Sequence, residues 1–343
     1  MSIETGAVAC IGETMAQVVP SDGKRLDDAA TYAMTPAGAE SNVAISLARM
    51  GTRAAWGSFV GDDPIGSRIT RSVNERGVDT SLVRAIMGGR TGVFMKDPIP
   101  DGSDVYYYRS GSAAAGMDAE YAHEVLATAP RWIHMTGVTP ALSASCADMV
   151  QQLTQGAVAS RIPISFDVNY RPVLWPSREV AAEAIRSVAA HADVVFVGLD
   201  EARALWGVVT AEDVRELLPE PMRLIVKDGA VECITFSGTD RVAVPALSVE
   251  VVEPVGAGDA FAAGWIHAHL LGLAPDACLR LGHLMAGIAL SAHSDTGELD
   301  AAPSEIVGRA VDGRDWKTHD ENLAAAVPVL APAQETRTPN ATV

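Results

Sequence analysis

The stretch Glu253–Gly264, which reads EPVGAGDAFAAG, decides the fold because it joins a glycine turn to the beginning of a helix. Val249, Val251 and Val252 precede it and predict a strand that leads into the turn. Glycine lets the backbone turn sharply and come close to a ligand. The first N–H groups of a helix are unpaired and carry the positive end of its dipole. Strand, glycine turn and helix in this order therefore predict an anion-binding site.

Asp259 lies where these unpaired N–H groups begin. We expect a carboxylate there to be easily kept ionised, so that it can accept a proton from an alcohol beside a phosphate. The alternative is that Asp259 only caps the helix and that Gly256–Gly258 only form a turn. No Gly-Lys-Ser/Thr follows, which excludes a Walker loop, and the motif lies too late in the chain for a dinucleotide fingerprint.

Composition limits the classes of protein that this chain can belong to. Its 343 residues, 48% of them hydrophobic, suffice for one large α/β domain with an added element or for two domains. The formal charge of −17 argues against nucleic acid or an anionic membrane as the main partner. Four widely spaced cysteines without a CxxC pattern predict a reduced, cytoplasmic protein with buried thiols. No apolar run is long enough to cross a bilayer, and we expect no signal peptide.

Strand and helix patterns alternate regularly along most of the chain. Ala7–Ile11 is a short apolar run that predicts a first buried strand, and the alternation is regular from Ala127 onward. This order favours a mainly parallel sheet covered by helices on both faces. In such sheets the ligand site lies beyond the carboxyl ends of the strands. The residues that follow apolar runs in this way are Gly12, Gly61, Gly137, Asp167, Lys227 and Asp259.

Two segments outside this alternation predict a small additional sheet. Met15–Met34 has the pattern of an antiparallel flap, and Thr91–Lys96 alternates like a partner of Ser103–Tyr108. Tyr107 and Arg109 share one face of the last strand, where they could grip a carboxylate and hydroxyl groups. The alternative is an ordinary sheet surface, because aromatic residues favour strands.

The loop from Pro36 to Asn42 opens a helix that ends near Gly51. Gly38 permits a ligand to approach the backbone, and Asn42 lies on the first turn of the helix. Alternatively, Ser41 or Asn42 simply caps the helix.

These motifs together resemble the signatures of a known family. The pattern Gly38-x-x-x-Asn42-x-Ala44 resembles the first signature of the ribokinase-like sugar kinases, the PfkB family, and Gly256–Asp259 resembles the second. The resemblance extends from about Ala7 to about Thr296. It implies a ribokinase-like α/β fold, with a mainly parallel central sheet, helices on both faces and a small β-sheet lid. The kinase domain would span residues 1–312, with lid strands within about 12–35 and 88–109. The Ala/Pro/Thr-rich tail, 313–343, predicts disorder.

The resemblance also implies roles for individual residues. Asp259 would be the catalytic base, and Gly256, Ala257 and Gly258 would form an anion hole. Gly256 and Gly258 would also contact the nucleotide. The positions that match substrate-binding residues are Gly38, Asn42, Tyr107, Arg109 and Arg171. The positions that match nucleotide-binding residues are Asn169, Lys227 and Gly229, and Glu201 matches a residue tied indirectly to Mg²⁺. ATP and Mg²⁺ are thus the expected cosubstrate and metal.

Within the family, three stretches resemble the members that phosphorylate 2-keto-3-deoxygluconate: Tyr107–Ala113, His134–Gly137 and Asp167–Trp175. Two arginines suit a substrate with a carboxylate, because a guanidinium group binds it bidentately. We therefore expect ATP-dependent phosphorylation of the primary hydroxyl of this sugar acid, giving 2-keto-3-deoxy-6-phosphogluconate. The alternatives are another sugar kinase such as a fructokinase, or a non-catalytic regulator that binds a sugar or nucleotide. Exposed lid strands also predict a homo-oligomer formed through the lid.

Three departures from the family pattern affect the expected contacts. Glu253-Pro254-Val255 stands where the second signature usually has Asp-Thr, and Pro254 lacks an N–H donor. The family's Asn-x-x-Glu element begins here with Gly198 and keeps only Glu201. Glu232 replaces an expected glycine of the nucleotide stretch. We expect altered phosphate, metal and nucleotide contacts at these positions.

Overall fold

The strands form two sheets, a large one of nine strands and a small one of four, in the computed structural model. The structure describes residues 2–99, 102–292, 295–299, 301–313 and 316. The predicted disordered tail therefore lies almost wholly outside the described residues, and the domain boundary at 312 stays a prediction.

Strands and helices alternate along most of the chain, as predicted. The strands are β1 (Val8–Ile11), β2 (Met15–Pro20), β3 (Tyr32–Ala37), β4 (Ala54–Gly61), β5 (Asp79–Ile86), β6 (Val93–Ile99), β7 (Gly102–Tyr108), β8 (Trp132–Thr136), β9 (Ile164–Asp167), β10 (Val194–Gly198), β11 (Arg223–Asp228), β12 (Glu232–Ser237) and β13 (Asp240–Pro245). The helices are α1 (Ala39–Arg49), α2 (Pro64–Asn74), α3 (Ala119–Ala127), α4 (Ala144–Ser160), α5 (Arg178–Ala189), α6 (Leu199–Trp206), α7 (Ala211–Leu217), α8 (Ala257–Leu270), α9 (Pro275–Leu290) and α10 (Pro303–Asp312).

The large sheet is mainly parallel, as predicted. Its strand order is β13-β12-β11-β10-β9-β8-β1-β4-β5. All neighbours from β11 to β5 pair in parallel, whereas β11–β12 and β12–β13 are antiparallel. The parallel strands place their carboxyl ends at one edge of the sheet, where a site is expected.

Helices cover both faces of this sheet, and strand β1 shows how the two cores are divided. Ala9 and Ile11 pack into the core beneath α3, α4 and α5, whereas Val8 and Cys10 pack into the core beneath α1, α8 and α9. Successive side chains of a strand point to opposite faces, so a strand buried on both sides is apolar throughout. The prediction of helices on both faces is confirmed.

The small sheet is the predicted lid. Its order is β3-β2-β6-β7, with antiparallel pairs β2–β3 and β6–β7 joined by the parallel pair β2–β6. Met15, Ala37 and Phe94 form a small buried cluster of their own on this sheet. Strand β3 ends two residues beyond the predicted limit of 35, and the other lid strands lie within the predicted ranges.

The predicted strand over Val249–Val252 is wrong. The segment between β13 and α8 is irregular, and Val251 and Val252 are exposed. The N–H groups of Val252 and Glu253 donate instead to the carbonyl oxygen of Leu290, at 2.8 and 3.2 Å. The apolar run therefore rests on the end of α9 rather than joining the sheet.

Two further features concern the cysteines and the length of the helices. The four cysteines are free and buried, which confirms the predicted buried thiols. Within the described residues, none of the helices has the length and apolar character that a membrane span requires.

Candidate active site

A cavity of about 380 Å³ lies between the carboxyl ends of the large sheet and the lid. The predicted site residues that line it are Gly38, Asn42, Tyr107, Arg109, Asn169, Arg171, Glu201, Lys227, Gly256, Gly258 and Asp259. Ala257, the first residue of α8, and Gly229, in the turn after β11, are not among its lining residues. The structure thus brings most of the predicted positions together from distant parts of the sequence.

Asp259 is not a helix cap. Helix α8 begins after Gly256, which has a left-handed φ of +84°, and no side chain caps its first N–H groups. The side chain of Asp259 instead accepts a hydrogen bond of 2.9 Å from Nδ2 of Asn42. The capping alternative is therefore wrong for Asn42 too, and Ser41 donates to the carbonyl oxygen of Gly38 at 3.0 Å.

Burial changes the protonation of Asp259 from what its position in the sequence suggests. Removal from water raises the pKa of this carboxyl to about 7, although the hydrogen bond from Asn42 opposes the rise. The nearby carboxyl groups of Asp167, Asp295 and Glu40 raise the pKa of Asp259 further. Burial therefore opposes the easy ionisation that the position of Asp259 in the sequence predicts. A pKa near neutrality nevertheless suits a general base.

The glycines of the two signatures are needed for packing of the chain against itself. A Cβ atom at Gly256 would collide with the carbonyl oxygen of Asp295, and one at Gly38 would collide with that of Glu13. Gly258 differs, because the nearest atom to a Cβ there would be Nζ of Lys227, at 3.5 Å. The backbone at Gly258 is thus the part of the turn that faces open space and a cation.

Arg109, expected to bind a substrate carboxylate, already contacts a carboxylate of the protein. Glu13 is buried and accepts hydrogen bonds from Nη2 of Arg109 and from Oγ of Ser112, the latter at 2.5 Å. Nε of Arg109 is buried and lacks a hydrogen-bond partner among the described residues. Arg109 therefore has a donor left for a ligand, while Glu13 offsets its charge.

A second set of charged side chains lines the cavity: Arg171, Glu201, Asp167 and Lys227. Nζ of Lys227 donates to Asp167 at 2.8 Å, and Nη1 of Arg171 donates to Glu201 at 3.3 Å. Burial and the Asp167 charge raise the pKa of Glu201. Burial alone would lower the pKa of Lys227, but the carboxylates of Asp167 and Glu201 outweigh it and raise that pKa. Oδ1 of the adjacent Asn169 is buried and lacks a partner among the described residues.

Several lining residues were not among the predicted site positions: Glu13, Glu40, Asp167 and Asp295. Glu40 is buried, and its Oε1 accepts hydrogen bonds from Thr136 and Thr139 at 2.8 and 3.0 Å. Glu40 lies inside the first signature and Asp167 ends a buried strand, so both carried a sequence signal. Asp295 follows α9 without any motif, and only the tertiary structure reveals it.

The carboxylates that line the cavity determine whether Mg²⁺ fits there. Among the described residues, no group of three or more His, Cys, Asp or Glu side chains is arranged to hold a metal ion. Asp167 and Glu201 nevertheless both line the cavity. Mg²⁺ is commonly held by one or two carboxylates together with substrate phosphates. These two carboxylates therefore fit a metal that arrives with a nucleotide.

A half-buried acid beside an open helix N-terminus, with cations along the same cavity, defines a site for phosphoryl transfer. Residues 6–302 match the model of the pfkB family carbohydrate kinases, so the chain belongs to this family. The 2-dehydro-3-deoxygluconokinase of Bacillus subtilis (strain 168) is 34% identical over 299 residues, covering 85% of this chain and 91% of that protein.

Two further comparisons agree on the family and the fold. Fructokinase-1 of Oryza sativa subsp. japonica is 33% identical over 260 residues, covering 74% of this chain and 80% of that protein. The crystal structure of a PfkB protein from Polaromonas sp. JS666 matches with a TM-score of 0.79 at 32% identity, covering 88% of this chain and 98% of that one. The predicted ribokinase-like α/β fold with a separate small sheet is confirmed.

Proposed function

We propose that this carbohydrate kinase transfers the γ-phosphoryl group of ATP to the primary hydroxyl of 2-keto-3-deoxygluconate, also called 2-dehydro-3-deoxygluconate. One observation carries the proposal: Asp259, at the open N-terminus of α8, shares a cavity with Tyr107 and Arg109 of the lid. The name of the Bacillus subtilis relative supports this sugar acid as the substrate.

In the proposed mechanism Asp259 accepts the proton of the substrate hydroxyl. The hydroxyl oxygen then forms a bond to the γ-phosphorus, and the bond from phosphorus to the departing ADP oxygen breaks. The N–H groups at Gly256, Ala257 and Gly258 stabilise the charge on the transferred group. Asn42 orients Asp259 through its hydrogen bond. The lid excludes water, which would otherwise compete as the acceptor.

The nucleotide is proposed to bind beside the charged side chains of Asp167, Glu201 and Lys227, which line the cavity. Lys227 and Asn169 would contact its phosphates, and Gly229 would lie near it in the turn after β11. When bound, Mg²⁺ neutralises phosphate charge, and Asp167 and Glu201 are the carboxylates that would hold it. Arg171, paired with Glu201, would bind the substrate at the border of the two regions.

A second candidate, a fructokinase, is favoured by one specific observation. Glu13 offsets the charge of Arg109, so this pair could bind the hydroxyl groups of a neutral sugar. The rice relative carries that name. A non-catalytic regulator is disfavoured, because Asp259, its Asn42 partner and the uncapped helix N-terminus are all in place.

ATP turnover across a panel of sugars and sugar acids tests the proposal. We expect the highest kcat/KM with 2-keto-3-deoxygluconate, and a kcat roughly 10²–10⁴ lower for Asp259→Asn, the scale of a positioned base. The variant Asp62→Asn, at an exposed loop position outside the cavity lining, serves as the matched control. Highest activity with fructose would favour the second candidate, and full turnover by Asp259→Asn would refute the assigned base.

Arg109→Met tests whether this arginine recognises the acid group. We expect a higher KM for the sugar acid with a smaller change in kcat, because the guanidinium binds the end of the substrate remote from the reaction. The change leaves Glu13 buried without its cation, so Arg109→Met should be compared with the double variant Glu13→Gln/Arg109→Met. An unchanged KM for the acid in both variants would point to a neutral sugar.

We also propose that the chain forms a homo-oligomer through the lid. Val105, Tyr106 and Tyr108 of β7 are exposed, and β7 is an edge strand of the small sheet. Pairing between lids would cover this apolar edge. We propose a cytoplasmic location, because the four cysteine thiols are free and buried.

A further inference from the structure

Lys96 is a buried cation of the lid that the proposed mechanism does not use. It lies on β6 two residues after Phe94, on the face that is directed towards the cavity. Only 6% of its side chain is exposed, and its Nζ lies 2.9 Å from Oε2 of Glu253. Burying an ammonium group is costly unless it is paired, so the ion pair with Glu253 stabilises Lys96 in its buried position.

Glu253 carries the contact onward to the turn before α8. Its other carboxylate oxygen, Oε1, accepts a hydrogen bond of 3.2 Å from the N–H of Val255. Val255 directly precedes Gly256, the N-cap of α8. A single carboxylate thus links a lid lysine to the backbone that begins the proposed anion hole.

Asp295 packs directly against the same turn. Its carbonyl oxygen is so close to Gly256 that a Cβ atom there would collide with it, and the residue lines the cavity. Burial raises the pKa of the Asp295 carboxyl, and the nearby charge of Lys96 opposes that rise. Lys96 therefore faces two carboxyl groups, one from the turn itself and one from the segment packed against it.

We infer that Lys96 is a positioning residue that fixes the turn Glu253–Gly256, and with it the anion hole, when the lid is in place over the cavity. This role of Lys96 accounts for a departure in the second signature. Glu253 has a longer side chain than the usual Asp, and it spans from the turn to the lid lysine. The inference deepens the proposed phosphoryl transfer and rests on it for its kinetic readout.

The variants Lys96→Met and Glu253→Gln, with their double variant, test this role. We expect Lys96→Met to lower kcat roughly 10- to 100-fold, with a smaller change in the KM of the sugar acid, the scale of a displaced catalytic group. Because both residues act through one contact, the double variant should be no slower than the worse single variant. The matched control is Arg25→Met, which removes the Arg25–Asp97 pair of the lid; Asp97 directly follows Lys96 on β6, so its side chain lies on the opposite face of the strand.

Hydrogen exchange of the ligand-free protein gives a readout that needs no substrate. We expect faster exchange across residues 252–258 in Lys96→Met and unchanged exchange there in Arg25→Met. Unchanged exchange in Lys96→Met, or a kcat within twofold of the wild type, would overturn the inference. If the wild type phosphorylates none of the tested sugars, the proposed function fails, while the exchange comparison still decides the role of Lys96.

Discussion

At the scale of single residues, we expect the pair Asn42–Asp259 to set the pH at which the enzyme works. As the proposed base, Asp259 must be deprotonated to accept a proton, and burial places its pKa at about 7. We expect kcat/KM to rise with pH and to level off above about pH 8, since this profile reports the pKa of the free enzyme.

The variant Asn42→Ala should move this profile to higher pH, because the hydrogen bond from Asn42 lowers the pKa of Asp259. The measurement is kcat/KM from about pH 5 to about pH 9 for wild type and variant. The control Asn74→Ala, which alters an asparagine at the end of α2, should leave the midpoint in place. A shift of the Asn42→Ala midpoint to lower pH would contradict the assignment.

Sequence patterns identified Asp259 and Asn42 but not their contact or the resulting pKa. That pKa depends on water exclusion and on carboxyl groups from Glu40, Asp167 and Asp295, which are far apart in the chain. The pairing of Arg109 with Glu13 was equally hidden, because 96 positions separate them. Residue types at strand and helix ends are visible in a sequence, whereas desolvation and long-range pairing are properties of the folded chain.

At the scale of elements, the beginning of α8 depends on Gly256. Its φ of +84° is unfavourable for any residue with a Cβ, and the carbonyl of Asp295 occupies the space that a Cβ needs. Gly256→Ala should therefore destabilise the fold and lower kcat, as measured by urea unfolding and turnover.

Gly238→Ala is the matched control for this change. Gly238, in the β12–β13 turn, also has a left-handed φ, of +59°, but open space surrounds the position of its Cβ. It should cost about 1 kcal/mol from backbone strain alone, without loss of kcat. Equal effects of the two changes would show that contact with Asp295 contributes nothing.

The same region shows where element prediction succeeds and fails. The glycine turn and the helix after it were predicted correctly, because glycine and unpaired N–H groups have local causes. The strand over Val249–Val252 was not, since an apolar run fits either a strand or a loop packed on a helix. Here the N–H groups of Val252 and Glu253 pair with the carbonyl oxygen of Leu290 at the end of α9, a long-range contact that the local pattern does not reveal.

At the scale of the whole molecule, the lid edge predicts self-association. Tyr106 and Tyr108 share one face of β7, and 65% of Tyr108 is exposed. Light scattering after size exclusion should give a mass above that of the monomer, and Tyr106→Glu/Tyr108→Glu should reduce it. The control Met222→Glu changes an equally exposed side chain on the large domain. A monomeric wild type would refute the proposed oligomer.

The fold as a whole was more predictable than the site, because parallel sheets have a strong signal. Strands such as Val194–Gly198 are apolar on both faces and alternate with helices, which leaves few possible arrangements. The lid was also predicted, from the alternating pattern of its strands. It was harder to predict which residues line the cavity, because single residues from both sheets and from the segment after α9 contribute to it.

The lid is built from two separate excursions of the chain, β2–β3 and β6–β7, and the parallel pair β2–β6 joins them. Four chain segments connect the lid to the large domain, and the parallel pair β2–β6 holds its two halves together. Met15, on the first excursion, and Tyr107, on the second, both line the cavity. A change that disrupts the β2–β6 pairing would therefore displace cavity residues from both halves of the lid at once. It would also separate Lys96 from the turn Glu253–Gly256.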